Sequence, residues 1–363
     1  MLSSTFWRNR RVFVTGHTGF KGAWLCILLG TLGARVHGVS RDIPTQPSLF
    51  EVAKVGEIAH TEFQDIRDLE RMRALVRAAA PEIVIHAAAQ SLVREGYRDP
   101  LETFETNVIG TANVLESVRD VPSVRVVVVV TTDKCYENIG DKKRFKEDDR
   151  LGGSDPYSSS KACAEILTHA MRESFFPPAS YSSHRVAIAT VRAGNVIGGG
   201  DWAKDRLIPD IIQALMSEQE PQIRNPDMVR PWQHVLDPLH GYLLLAEKLW
   251  SDGTKYSGAW NFGPDEQSEW PVRKLANRLC VLWGGGAKWK HTPAKDTAAE
   301  AFYLTLDSSK ARENLGWLPR IDMEAALSIT TAWYMAVGGE RDARAVSEQQ
   351  ISEYFTSVLT SNP

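Results

Sequence analysis

The chain has 363 residues, of which 43% are hydrophobic and 24% charged, the profile of a globular protein large enough for two domains. Its 42 basic and 45 acidic residues leave a net charge of −3 and no basic tract, which argues against a nucleic-acid partner. The four cysteines form no Cys-x-x-Cys pair, so we expect a cytoplasmic protein without a disulfide framework or a metal site.

Apolar runs alternate with amphipathic helical stretches through the first half of the chain. The runs rich in β-branched residues are Arg11–Thr15, Arg35–Val39, Ile83–His86, Arg125–Thr131 and Val186–Val191. The helical stretches between them are Lys21–Leu32, Leu69–Ala79, Thr103–Val118 and Ser159–Phe175. This alternation predicts an α/β fold with a doubly wound parallel Rossmann sheet. The longest apolar run, Val126–Val130, indicates a strand buried on both faces and is too short to span a bilayer, and the N-terminus lacks the apolar stretch of a signal peptide.

Beyond Arg192 the alternation gives way to stretches rich in proline, tryptophan and glycine, which predict a smaller mixed lobe. Within this part, Leu207–Ser217 and Pro238–Leu249 have helical patterns and Ala259–Phe262 that of a late strand. We therefore predict a discontinuous division of the chain. Residues 1–191 with 235–262 would form the dinucleotide-binding domain, and residues 192–234 with 263–363 the nucleotide-sugar-binding lobe.

The first predicted strand leads directly into a glycine-rich turn with the spacing G-x-x-G-x-x-G, which then enters a helix. Its residues are Gly16, His17, Thr18, Gly19, Phe20, Lys21 and Gly22. Glycines at this spacing let the backbone approach a pyrophosphate, whose charge the N–H groups of the helix terminus hold. The alternative is a turn without a ligand, but the position between strand and helix favours dinucleotide binding.

The residues at the end of the second strand usually determine whether the protein binds NAD or NADP, because an acidic side chain there binds the ribose hydroxyls of NAD and excludes a 2′-phosphate. Asp42 lies twenty residues after Gly22, and Arg41 beside it could equally hold a 2′-phosphate. We expect NAD, with NADP left open.

Tyr157 and Lys161 are four residues apart at the start of a predicted helix, so both side chains lie on one helix face. A phenol becomes a base near neutral pH when positive charge beside it lowers its pKa. We expect Lys161 and a cationic nicotinamide to lower the pKa of Tyr157 in this way. Such a pair is often structural, but here it follows a dinucleotide turn.

At this point the sequence resembles the extended short-chain dehydrogenase/reductase family, whose members act largely on nucleotide-linked sugars. The resemblance covers nearly the whole chain. The residues that carry it are Gly16, Gly19, Gly22, Asp65, Ile66, His86–Ala89, Asn107, Gly110, Thr132, Tyr157 and Lys161. It implies that Asp65 and Ile66 flank the adenine and that Lys161 also holds the nicotinamide ribose. Further cofactor contacts would come from Arg41, Ala87, Ala88, Ala89, Asn107, Thr131 and Tyr157.

Three segments resemble the CDP-glucose branch of the sugar-nucleotide 4,6-dehydratases: Thr131–Tyr136, Arg192–Trp202 and Arg230–Val235. This resemblance implies conversion of CDP-D-glucose to CDP-4-keto-6-deoxy-D-glucose, an early step toward dideoxyhexoses of bacterial surface polysaccharide (O-antigen and lipopolysaccharide).

The implied chemistry assigns roles to Tyr157 and to three consecutive residues, Thr132, Asp133 and Lys134. Tyr157, helped by Thr132, would take the proton of the sugar C4 hydroxyl, and Asp133 would protonate the departing C6 hydroxyl. Lys134 stands where most sugar-nucleotide 4,6-dehydratases carry a glutamate as the C5 base. It could act as that base after losing its proton, or stay charged and stabilise the enolate.

An anionic substrate needs cationic partners, and the resemblance places Arg230, Arg206 and Arg192 near the diphosphate. Asn195 and Gln90 would add hydrogen bonds, whereas Arg192 could instead form an ordinary ion pair at a strand end. We expect a homodimer or a dimer of dimers, formed through the Tyr157 helix and its apolar residues Ile166 and Met171. The alternatives to a 4,6-dehydratase are a nucleotide-sugar 4-epimerase and a catalytically silent NAD(P)-binding scaffold.

Overall fold

A computed structural model describes residues 2–140, 143–293 and 304–356. Parts of the predicted second lobe, residues 294–303 and 357–363, lie outside them. The described strands are β1 Arg11–Thr15, β2 Arg35–Ser40, β3 Ala59–Phe63, β4 Ile83–His86, β5 Val126–Val130, β6 Arg144–Phe145, β7 Ala187–Ala193, β8 Asn195–Ile197, β9 Gln222–Ile223, β10 Val229–His234, β11 Gly258–Phe262, β12 Glu269–Pro271, β13 Lys290–His291 and β14 Thr305–Leu306.

The described helices include each of the predicted ones. They are α1 Ser4–Trp7, α2 Phe20–Thr31, α3 Leu49–Val52, α4 Leu69–Ala79, α5 Val93–Arg98, α6 Pro100–Phe104, α7 Gly110–Val118, α8 Pro156–Phe175, α9 Tyr181–His184, α10 Leu207–Met216, α11 Leu236–Ser251, α12 Gly253–Tyr256, α13 Val272–Trp283, α14 Ser309–Leu315, α15 Met323–Gly338 and α16 Ala343–Thr356. A π-helical turn, Glu105–Ile109, joins α6 to α7. No helix in the described ranges is both long and apolar enough to cross a membrane.

The main sheet confirms the predicted doubly wound architecture. Within the described residues it has seven parallel strands in the order β3-β2-β1-β4-β5-β7-β11. Each residue of Val126–Val130 is buried, and successive valines pack alternately into the cores on the two faces of the sheet. The strand order reverses between β1 and β4, where open α/β sheets form a ligand crevice at the carboxyl ends of their strands.

The late strand is also confirmed, because β11 pairs in parallel with β7 at the edge of the main sheet. Between them the chain forms β8 and β10, which pair in parallel away from the main sheet, with β12 antiparallel beside β10. The domain boundaries themselves stay a prediction.

Candidate active site

A cavity of about 1000 Å³ opens at the carboxyl ends of the central strands. It runs from the glycine turn after β1 to the segments around β8 and β10, so residues far apart in sequence share one space. The predicted site residues that line it are Gly16, Thr18, Gly19, Phe20, Gly22, Arg41, Asp65, Ile66, Ala87, Ala88, Ala89, Gln90, Thr131, Thr132, Asp133, Lys134, Tyr157, Lys161, Asn195, Arg206 and Arg230.

The glycine turn fits the pyrophosphate of a dinucleotide. Gly16 has a φ of +76°, and a Cβ on it would lie 2.6 Å from the Ala88 nitrogen, so packing within the protein requires glycine there. Gly19 differs, because it has a φ of −73° and a Cβ would meet only the Gly16 carbonyl oxygen at 3.5 Å. The first helical N–H groups of α2 follow directly and have no intrahelical acceptor. A close-lying ligand therefore explains Gly19 better than the protein's own packing does.

Two predicted cofactor residues do not line the cavity. The His17 ring is fully buried and makes hydrogen bonds to the hydroxyls of Ser40 and Thr61 at 3.0 and 3.1 Å. Asn107 is buried behind the wall, where its amide donates to the Gln90 carbonyl and the Ser160 hydroxyl at 2.9 Å each. Neighbouring strands and helices already satisfy the polar atoms of these two side chains, and their predicted cofactor contacts stay a prediction. Both side chains brace the turn and the wall.

Ion pairs surround the end of the cavity next to β2. Arg41 contacts Asp42 at 2.9 Å and Glu102 at 2.5 Å. Asp65 is held by Arg67, whose hydrogen bonds and charge lower the pKa of Asp65 although burial acts to raise it. Since Arg41 already faces two carboxylates, this end does not favour an added 2′-phosphate dianion.

Tyr157 and Lys161 lie together on the first turns of α8, both buried. Lys161 donates to the Val130 carbonyl at 3.2 Å, and burial lowers its pKa to about 8. Burial also raises the pKa of Tyr157 to about 12, against the opposing hydrogen bond of Thr132. In the protein alone, desolvation of the phenolate outweighs the groups that lower the pKa of Tyr157. The expected lowering by Lys161 together with a cationic nicotinamide stays a prediction.

Thr132 follows the buried strand β5 after one residue and caps the short 3₁₀ turn Asp133–Cys135. Thr132, Asp133 and Lys134 line the cavity. The Thr132 hydroxyl donates to Asp133 at 3.0 Å. Burial raises the pKa of Asp133, although Lys134 and Thr132 oppose that shift. Gly194 makes room for this carboxyl group, since a Cβ there would lie 2.8 Å from Asp133 Oδ2. Lys134 is half-buried on the same turn.

The predicted substrate residues line the other part of the cavity. Arg206 lies just before α10 and contacts Asp201 at 3.0 Å and the Ser91 hydroxyl at 3.1 Å. Arg230 on β10 and Asn195 at the start of β8 come from neighbouring, hydrogen-bonded strands. Gln90 has its polar groups bound within the protein, because its amide oxygen and nitrogen bind Leu92 and Thr103 and its backbone N–H and carbonyl bind Asn107. The structure thus brings two arginines and Asn195 to one side of the cavity.

Arg192 does not line this cavity. It forms instead the ion pair at a strand end that the sequence analysis gave as the alternative to substrate binding. Its guanidinium makes a bidentate ion pair with Glu165, with contacts of 2.8 and 2.9 Å, and both side chains are almost fully buried. Glu165 also accepts hydrogen bonds from Thr131 and Thr190 at 2.5 and 2.7 Å. The pair therefore fixes β7 and the end of β5 to α8.

Sequence reasoning missed Lys21, which lines the cavity from the first turn of α2. The signal was available, because a basic residue in the first turn of a helix opposes the helix dipole. Lys21 lies inside the glycine-rich motif, in which the glycines and not the residues between them indicate cofactor binding.

A separate cluster lies on β2 and β3. His37 and His60 are cross-strand partners, Glu62 follows two residues later, and one ligand atom of each lies within 4.8 Å of the others. None of the three lines the cavity.

The chain matches known proteins over most of its length. A family model described as GDP-mannose 4,6 dehydratase matches residues 13–330. A CDP-glucose 4,6-dehydratase of Salmonella typhimurium is 46% identical over 358 residues, which cover 99% of each chain. Among solved structures, a UDP-glucose 4-epimerase of Thermotoga maritima with UDP-glucose has a TM-score of 0.78 at 22% identity, covering 90% of this chain and 99% of that one. A dTDP-glucose 4,6-dehydratase of Streptomyces venezuelae with NAD bound has a TM-score of 0.75 at 23% identity, covering 92% and 99%.

Proposed function

Because this chain belongs to the GDP-mannose 4,6 dehydratase family, we propose that it is an NAD-dependent lyase that converts CDP-D-glucose to CDP-4-keto-6-deoxy-D-glucose and water. The observation that carries this proposal is the meeting of Tyr157, Thr132, Asp133 and Lys134 in the cavity that the glycine turn borders. The CDP-glucose substrate is supported by the relative that is 46% identical over the full chain.

The glycine turn and the α2 N-terminus would hold the cofactor pyrophosphate, and the Arg41 pairs support NAD rather than NADP. When bound, oxidised NAD supplies a temporary hydride acceptor and a positive charge that lowers the pKa of Tyr157. Without such a charge Tyr157 would be a poor base near neutral pH, because its pKa is about 12 in the protein alone. The reaction starts and ends with the same oxidation state of the cofactor, so no external reductant is consumed.

Oxidation at C4 begins the cycle. Tyr157, hydrogen-bonded by Thr132, takes the proton of the C4 hydroxyl as that carbon loses hydride. The C4 ketone then acidifies the neighbouring C5–H bond. Thr132 donates its hydroxyl to Asp133 and also lowers the pKa of Tyr157, so one side chain lies between the group that starts the oxidation and the group proposed for the elimination.

Elimination follows at C5 and C6. The C5 proton leaves to a base, and Asp133 gives its proton to the C6 hydroxyl, which departs as water. A carboxyl group must be protonated for this role, and burial of Asp133 raises its pKa in that direction. Hydride addition at C6 and reprotonation at C5 complete the 6-deoxy product. Lys134, on the same turn, either accepts the C5 proton or stabilises the enolate as a cation.

The diphosphate of the substrate would lie against Arg206, Arg230 and Asn195. Arg206 is held by Asp201, whose charge is the main cause of its raised pKa. Its guanidinium therefore stays charged, and the ion pair with Asp201 fixes its orientation before the substrate binds.

The test is incubation of the chain with CDP-glucose, followed by the alkali-induced absorbance of a 4-keto-6-deoxy sugar. We expect the chromophore with the wild type and none with Tyr157→Phe. Parallel incubations with dTDP-, GDP- and UDP-glucose test the base preference. A 4-epimerase would form CDP-galactose without a chromophore and a silent scaffold would form neither, so either outcome contradicts the proposal.

We propose a homodimer or dimer of dimers formed through α8 and the helices beside it. Leu101, Ile109 and Ile166 are each more than half exposed on this part of the surface, and contact helices could cover them. Met171, also expected there, packs against the core instead. Light scattering of the wild type and Ile166→Glu tests this surface, and a monomeric wild type would refute it.

We also propose a cytoplasmic location and, from the resemblance to the CDP-glucose branch, a place in the synthesis of dideoxyhexoses for bacterial surface polysaccharide. All four cysteines are free, as a reducing compartment would keep them.

A further inference from the structure

Three side chains that can ligate a metal ion lie together at the edge of the main sheet, away from the cavity. In the parallel register of β2 and β3, His37 lies directly opposite His60. Glu62 follows two residues later on β3 and projects from the same face as His60, because side chains alternate along a strand. The edge of the sheet therefore presents two imidazoles and one carboxylate side by side.

These three side chains are close enough to share one ion. The rings of His37 and His60 have their centres 4.5 Å apart, and His60 Nε2 lies 3.2 Å from a carboxylate oxygen of Glu62. One ligand atom of each residue lies within 4.8 Å of those of the other two. Ligand atoms around a tetrahedral Zn²⁺ are about 3.4 Å from one another. The pair His60 and Glu62 already has this spacing, and small rotations of the side chains bring His37 to it.

The ring of His37 is held in place and has a nitrogen that packing does not explain. The Phe13 ring stacks on it, with the ring centres 5.3 Å apart and the planes at 17°. The Nε2 atom of His37 is screened from solvent and has no hydrogen-bond partner among the described residues. A buried polar atom in this state is unfavourable and uncommon. No group of the described protein therefore competes with a metal ion for this nitrogen.

The ligand types indicate the class of ion. Imidazole and carboxylate together suit Zn²⁺, Cu²⁺, Ni²⁺ and Co²⁺, whereas Mg²⁺ and Ca²⁺ prefer oxygen ligands alone. The side chains of His60 and Glu62 are 63% and 44% exposed, so water can complete the coordination. The spacing of the cysteines does not bear on such a site, because none of its ligands is a thiol.

We propose that His37, His60 and Glu62 bind one divalent transition-metal ion, which links β3 to β2. Within the described sheet, β3 is the last strand and pairs with β2, so a link between side chains adds to the hydrogen bonds that hold this edge. The role of the ion is structural, because its three ligands lie outside the cavity. This proposal departs from our expectation of a protein without a metal site and does not depend on the proposed dehydratase activity.

The experiment titrates Zn²⁺ into the full chain, freed of metal with a chelator, by isothermal titration calorimetry. We expect saturable binding of one ion per chain and a melting temperature raised by about 2 °C or more at saturating Zn²⁺. His60→Gln and Glu62→Gln each remove one ligand and should raise the dissociation constant by about tenfold or more. Mg²⁺ and Ca²⁺ at the same concentration should leave the melting temperature unchanged.

Two controls separate this site from other causes. His291→Gln makes the same substitution at an exposed histidine outside the cluster and should bind Zn²⁺ as the wild type does. In the presence of EDTA, His60→Gln and Glu62→Gln should melt at the same temperature as the wild type, since their side chains contribute little to folding without the ion. Bound Co²⁺ should show an absorption spectrum without a thiolate charge-transfer band, which distinguishes the cluster from the partly exposed Cys163.

Three results would overturn the proposal. Zn²⁺ binding that is unchanged in both His60→Gln and Glu62→Gln would place the ion elsewhere on the chain. Absence of saturable binding to the wild type would show that the cluster is an ordinary set of edge-strand side chains. Equal stabilisation by Mg²⁺ would show that the imidazoles are not ligands. Since these measurements need neither nucleotide nor sugar, a failed dehydratase assay refutes the proposed function separately.

Discussion

Replacing Glu165 by glutamine should destabilise the fold by about 3–5 kcal/mol, the cost of leaving a buried charge without its partner. Arg192 would keep its charge while surrounded by protein, with a side-chain exposure of 3%. Two of the four hydrogen bonds that Glu165 accepts come from this guanidinium, and a glutamine would turn one of its own N–H groups toward the donors around it. The carboxylate is therefore not replaceable by an amide of the same shape.

The assay is urea unfolding followed by tryptophan fluorescence, with the free energy of unfolding extrapolated to water. Glu70→Gln is the matched control, because it removes an exposed partner of Arg73 on α4 and should change the free energy of unfolding by less than about 0.5 kcal/mol. The double variant Glu165→Gln with Arg192→Met removes both charges and should be more stable than Glu165→Gln alone.

The pH dependence follows from the sign of the pKa shift. Arg192 and the hydrogen bonds lower the pKa of Glu165 below its ordinary value of 4.5, although burial acts to raise it. Its stabilising contribution is therefore fully present above about pH 4.5 and is lost as the pH falls through the folded pKa. The difference in the free energy of unfolding between wild type and Glu165→Gln should become smaller only in strong acid. A difference below about 1 kcal/mol at pH 7 would refute the reasoning.

Three further changes probe the cavity. Asp133→Asn should lower kcat for the 4-keto product by about 10²–10⁴, while the near-ultraviolet absorbance of reduced cofactor still appears on adding CDP-glucose; absence of that signal would contradict an acid role confined to elimination. Lys134→Ala should lower turnover by about 10²-fold or more, and wild-type turnover would show that Lys134 is not catalytic. Gly19→Val should weaken binding of NAD by about tenfold or more with an unchanged melting temperature, because its Cβ meets little protein; a large drop in melting temperature would mean that packing requires this glycine.

The sequence predicted the parts of the fold in which one local pattern dominates. Val126–Val130 could hardly be anything but a strand buried on both faces, and α4 begins and ends where its pattern predicted. The strand β3 is the counterexample, because its sequence, Ala59–Phe63, carries histidine, threonine and glutamate and lies at the edge of the sheet. Its place is decided by pairing with β2, which no local pattern reveals.

The same limit applies to the site. Motif spacing brought Gly16, Gly19 and Tyr157 correctly to one cavity, since backbone geometry and helix periodicity fix where these residues lie. Spacing could not tell that the ring of His17 points inward, because Ser40 and Thr61, its partners, come from other strands. Nor could it predict the pKa of Tyr157, which depends on how completely the surrounding elements exclude water.

Desolvation moves the pKa values of Asp133, Tyr157 and Lys161 in the cavity toward the uncharged forms of these groups. Burial raises the pKa of Asp133 and Tyr157 and lowers that of Lys21 and Lys161 to about 8. An acid ready to donate to a leaving hydroxyl benefits from this, whereas a tyrosine that must act as a base does not. Positive charge is therefore needed before Tyr157 can act as the proposed base. Arg206 supplies part of it, and the cationic nicotinamide of bound NAD would supply more. In the proposed mechanism, oxidation at C4 therefore waits for bound NAD, whereas burial in the fold already favours the protonated form of Asp133, the proposed acid.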